Sequence, residues 1–88
     1  GLMDHLDGLK GSLPERQLDV LCYMAQMHLY SMFGESHLNE LRDYLKVSPP
    51  TVRRCMKELE ELGLVGRVSQ RPPVFKLTDK AIAALGVS

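Results

Sequence analysis

The chain has 88 residues and zero formal net charge, is 44 % hydrophobic and 25 % charged. That fits one domain with a modest core and leaves no room for two. It also excludes a disordered, low-complexity chain, and no apolar run approaches the roughly 20 residues of a membrane-spanning helix. No signal-peptide pattern is visible. Gly1–Leu2 reads either as an expression remnant before Met3 or as the cut edge of a larger protein. The zero net charge hides an asymmetry. Residues 1–41 carry two basic against six acidic side chains, and residues 42–88 carry nine against five. Such asymmetry is a sign of nucleic-acid contact.

Residues 1–12, with Gly1, Gly8 and Gly11, hold no sustained period and read as a flexible amino-terminal arm ahead of a domain over 13–88. Leu2, Leu6 and Leu9 could pack weakly on the body. Pro14–Glu15 is a good start for a first helix running to about Met32 and stopping near Gly34. Its core stripe is expected at Leu18, Leu21, Cys22, Ala25 and Leu29. A second apolar stripe runs through Val20, Tyr23, Met24, Met27, Tyr30 and Ser31, and a helix apolar on most sides must be buried on most sides. Either the arm and a last helix cover it, or Tyr23, Met24, Met27 and Tyr30 form a homodimer or other protein interface.

Glu35–Leu38 suits a short extended lead-in able to pair with a hairpin, and Asn39 a cap for a second helix with Leu41, Tyr44 and Leu45 inward. Val47 is an apolar plug in the turn Lys46–Ser48. Ser48 then caps a third helix with Pro49 at its first position, where a missing N–H costs nothing. Val52, Cys55, Met56, Leu59 and Leu62 make its buried stripe, and Gly63 closes it as a left-handed cap. Thr51, Arg53, Arg54 and Lys57 are left outside on the first two turns. A short helix with a cationic outer face at its amino end is what insertion into a DNA major groove requires.

Two short strands follow, Leu64–Val68 and Val74–Leu77, with Val65, Val68, Phe75 and Leu77 as inner-face candidates and Ser69–Pro73 as the tip between them. Proline removes backbone donors, so Pro72 and Pro73 are expected in the loop. Thr78–Asp79 caps a last helix, Lys80–Leu85, stopped by Gly86.

The run helix, turn, helix, Gly-Leu-Val and strand from Asn39 to Val68 resembles the winged helix-turn-helix transcriptional regulators of bacteria and archaea, and the likeness extends over residues 14–86. It implies an α+β, mostly helical fold: a three-helix core, a short β-hairpin wing, a carboxy-terminal helix, and a third helix that reads DNA. Two positions depart from the pattern. Arg42 stands where relatives carry a small residue at the helix crossing, and Lys46 where many carry glycine.

The functional expectation is sequence-specific double-stranded DNA binding by a small dimeric regulator. Arg53, Arg54 and Lys57 enter the major groove with Thr51, Arg54 being the best base-edge candidate because guanidinium can pair guanine twice. Lys46, Ser48, Thr51 and the helix's first N–H groups hold phosphates. Arg71 at the wing tip, with Arg67 and Lys76, reaches the adjacent backbone or minor groove. The competing readings are a winged helix that contacts protein, as in replication, transcription and ubiquitin-ligase machinery, and a DNA-binding domain excised from a larger protein.

No enzyme, metal or cofactor chemistry is expected. His5, His28 and His37 have no ligand spacing with Cys22 and Cys55, and no serine sits in a nucleophile elbow. Both cysteines fall on helix stripes and read as free core thiols, which points to a reducing cytoplasm, or a nucleoid in a prokaryote.

Overall fold

A computed structural model describes residues 13–30 and 34–86. The expected arm lies outside the described residues, as do Ser31 and the helix end at Met32. Helix α1 spans Glu15–Tyr30, strand β1 Glu35–His37, α2 Leu38–Leu45, α3 Pro49–Glu61, β2 Val65–Gln70, β3 Pro73–Leu77 and α4 Asp79–Leu85. The strands form one antiparallel sheet in the order β1-β3-β2. The extended lead-in does pair with the hairpin: Glu35 faces Lys76, Ser36 faces Phe75 and His37 faces Val74.

The core joins Val20, Leu21, Met24 and Ala25 of α1 to Leu41 of α2, to Val52, Cys55, Met56 and Leu59 of α3, and to Val65, Phe75 and Leu77 of the sheet. Ala81 and Leu85 bring in α4. Each fully buried Leu, Met or Phe here contributes about 1.5–3 kcal/mol over its exposed state. The inward face of α1 is rotated from the expected stripe, since Leu29 is 45 % exposed while Val20 and Met24 are fully buried. The sheet is a second layer against α1, which packs on β3 and β1.

Local chemistry sets the boundaries. His37, not Asn39, caps α2: its Nδ1 accepts the Asn39 N–H at 3.0 Å, while Glu40 Oε1 accepts the His37 N–H at 3.3 Å. Lys46 ends α2 in the left-handed region (φ 57), where a side chain costs about 1–2 kcal/mol and glycine costs nothing. That is the glycine position of the resembling pattern, and this chain keeps its geometry without its residue. Val47 packs half-buried on the core, as expected of the plug. Tyr44, expected inward, is 47 % exposed and stacks on Tyr23 with ring centroids 4.6 Å apart.

Gly63 (φ 75) follows α3, with its N–H on Glu60 O at 3.0 Å and the Leu64 N–H on Leu59 O at 3.0 Å. This double closure ends α3 one residue early, so Leu62 sits past the helix and is 43 % exposed instead of buried. Thr78 caps α4, accepting the Ala81 N–H at 3.2 Å, and donates to Gly63 O at 2.6 Å, while Lys80 Nζ donates to Leu62 O at 2.8 Å. The start of α4 thus satisfies carbonyls at the end of α3.

Candidate nucleic-acid interface

The amino end of α3 is built differently from expectation. Pro49 and Pro50 hold its first two positions and have no N–H, and the Thr51 and Val52 N–H groups both turn back to Ser48 O at 3.1 and 3.2 Å. The first-turn N–H groups are therefore absent or spent, and do not form the expected phosphate cradle. Ser48 is the cap residue by backbone conformation, but its hydroxyl meets Thr51 Oγ1 at 2.8 Å and makes no bond to the helix backbone. What this end presents is a pair of linked hydroxyls beside the exposed Lys46.

The buried set Val52, Cys55, Met56 and Leu59 fixes the opposite line of the helix. At 100° per residue that line runs through Pro50, Arg54, Lys57 and Glu61. All four are exposed, and Arg54 stands on it at the second turn. On either side of the line lies a depression. Toward the wing is an open groove of about 510 Å³ lined by Arg53, Lys57, Glu60, Arg67 and Phe75. Toward α1 is a smaller cleft of about 220 Å³ lined by Arg16, Gln17, Thr51, Arg54 and Glu58. Among the described residues no carboxylate pairs with Arg53, Arg54 or Lys57.

The wing is a tight hairpin. Gln70 pairs with Pro73, so only Arg71 and Pro72 turn the chain, through a cis Arg71–Pro72 peptide. Pro73 opens β3 instead of lying in the loop, a place a strand tolerates because its first residue can lack a ladder donor. Arg71 is exposed at the tip.

Arg67 is not a free cation. Its guanidinium donates to Glu60 at 2.9 Å and lies 5.0 Å over the Phe75 ring, which ties the wing to the last turn of α3. Sequence reasoning missed this role of Glu60, because its partner lies across a helix end, a turn and a strand. Lys76, between the buried Phe75 and Leu77, falls by strand alternation on the opposite sheet face from Arg67 and away from α3. Val68 sits at the register shift between Arg67 and Ser69 and is 51 % exposed, not inward.

The four α1 residues expected at a dimer contact separate. Met24 is fully buried in the chain's own core and cannot contact a partner. Tyr23 is half-buried, with its hydroxyl donating to Glu40 and its pKa raised to about 12 by burial first and by that carboxylate second. Met27 is half-buried, and Tyr30 is 83 % exposed. Among the described residues no three His, Cys, Asp or Glu side chains cluster as a metal site, and no helix is long and apolar enough to cross a membrane.

Three helices, a hairpin that closes a three-stranded sheet, and a third helix beside it with Arg53, Arg54 and Lys57 ahead of its acidic last turn define a winged helix-turn-helix domain. Residues 28–70, just under half of the chain, match the profile of the DeoR-like helix-turn-helix domain. MepR, a transcription regulator of the Staphylococcus aureus multidrug efflux pump MepA, is similar in structure: TM-score 0.73 and 19 % identity over 97 % of this chain. A protein of the thermoacidophilic archaeon Sulfolobus tokodaii gives 0.72 and 23 % over 92 % of the chain and 83 % of its own. Lactococcus lactis ZitR, solved in complex with DNA, gives 0.64 and 22 % over 85 %. The likeness is one of fold, and the chain spans 62 % of MepR and 49 % of ZitR. No curated protein matches the chain.

Proposed function

We propose that this domain binds double-stranded DNA sequence-specifically as part of a transcription regulator, with α3 in the major groove and the wing on the adjacent backbone or minor groove. The observation that carries the reading is the outward line of α3, where Arg54 and Lys57 project without a carboxylate partner among the described residues, flanked by Arg53 and Thr51. Arg54 reads a base edge, Ser48, Thr51 and Lys46 hold phosphate through side chains alone, and Arg71 holds backbone at the wing. Arg67 acts through Glu60 and Phe75 to set the wing, and Lys76 leaves the set. A homodimer joined through Met27 and Tyr30 of α1 places two such helices on one duplex. The reading puts the protein in the cytoplasm or nucleoid, and it assigns no catalytic role.

The support from similar folds is that ZitR was crystallised with DNA and MepR is a transcription regulator. Binding to random duplex should fall steeply as salt rises, because each neutralised phosphate releases counterions. Arg54→Ala should cost roughly 1–3 kcal/mol of specific binding, the range for a lost bidentate base contact. Unchanged discrimination between a selected site and random DNA would remove Arg54 from that role. Absence of binding even at low salt would favour the protein-contact reading, for which the neutral net charge and the acidic Glu58, Glu60 and Glu61 speak.

A further inference from the structure

Arg16 belongs to no part of the helix-turn-helix motif and lies outside the matched span of residues 28–70. It sits on the first turn of α1, yet it lines the cleft against α3 together with Thr51 and Arg54. Across the gap between the two helices the Cys55 thiol, held up by burial and by Glu58, is drawn down by the Arg16 guanidinium as the smallest influence. The cleft's carboxylate, Glu58, accepts a hydrogen bond on Oε2 from the neutral Gln17 amide, Nε2 at 2.8 Å. Asp19, one turn along α1, does not line this cleft, but with Glu15 and Arg16 it lines a separate depression beside Leu45 and Val47. Gln17 is 5 % exposed, and its Oε1 is a buried acceptor with no partner among the described residues. A guanidinium carries several donors in one plane and can grip an anion at the mouth of the cleft.

The position of the cleft identifies the anion. A helix in the major groove lies between two phosphate backbones about 12 Å apart. Around α3 the wing-side groove and the α1-side cleft fall on opposite flanks of the outward line through Arg54 and Lys57. The wing serves one backbone, and the other must meet the α1 flank.

We infer that Arg16, with the Thr51 hydroxyl, forms a phosphate clamp for the DNA strand opposite the one the wing contacts. The inference rests on the DNA-binding reading above. Arg54, which also lines the cleft, keeps its base contact.

The test is fluorescence anisotropy with a random-sequence duplex over a salt series, using the full chain. Arg16→Ala should weaken binding roughly fivefold and lower the slope of log K against log salt by about 0.9, one phosphate's worth. Arg16→Lys should restore the slope, because charge alone sets it. Circular dichroism of both variants should match the parent, since Arg16 is exposed on a first turn. If the parent binds with a salt slope and Arg16→Ala keeps both slope and affinity, the clamp is overturned and the DNA reading stands. A parent with no salt-dependent binding overturns the DNA reading itself.

Discussion

Cys55 is 4 % exposed on the inner face of α3, and its thiol is pushed up from 9.0 to about 11, by burial first and by Glu58 second, with Arg16 opposing. Between those values the unfolded chain gives up the proton while the native chain keeps it. The native state then binds more protons, so stability falls as pH rises through that window and is whole below pH 9. Urea midpoints at pH 8 and pH 10 should show the decline in the parent, and Cys55→Ala should flatten it while lowering both midpoints by its cavity. Native Cys55 should also alkylate more slowly at pH 8 than half-buried Cys22. Equal labelling rates would show that α3 opens far more readily than its packing implies. Both thiols were legible in the sequence as core thiols, because their helical phase put them among leucines. The φ of 57 at Lys46 was legible only as a missing glycine, since geometry persists where residue type does not.

At the scale of elements, the wing divides its two arginines. Arg67 is held by Glu60 and Phe75, which fixes the angle between hairpin and α3, and Arg71 is left exposed at a two-residue tip. Such a tip is too short to read many bases. Arg71→Ala is therefore expected to lower affinity for all duplexes nearly equally and to reduce the salt slope by about 0.9. A loss confined to one sequence would show that the tip reads bases. The hairpin itself followed from Gly63, the valines and the prolines. Its register did not, because alternation from Val65 alone cannot announce the shift that turns Val68 outward. The cap of α2 was missed for a related reason: His37 does the work of Ser or Asp through Nδ1, and only the reciprocal bond from Glu40 reveals it.

The whole molecule leaves Tyr30 83 % exposed and Leu29 45 % exposed at the end of α1, with Met27 half-buried one turn before Tyr30. A homodimer joined there would space two copies of α3 for half-sites about 34 Å apart, one helical turn of DNA. Met27→Glu would place a charge in that contact and should give a monomer by sedimentation with its helices intact. An unmodified chain that already sediments as a monomer at tens of micromolar would end the dimer reading.

The sequence by itself determined the order of elements, the cationic outer face of α3, the caps at Thr78 and Gly63, and most of the core, since each depends on spacing and on the chemistry of neighbouring residues. Tertiary structure decided what spacing cannot encode. It turned Met24 from a surface stripe into the core, in a fold where α1 packs on a sheet whose central strand, β3, lies far along the chain. It joined Arg67 to Glu60, and it brought Arg16 beside Thr51 and Arg54. A one-dimensional period records which way a helix faces only once something else has arrived to face it.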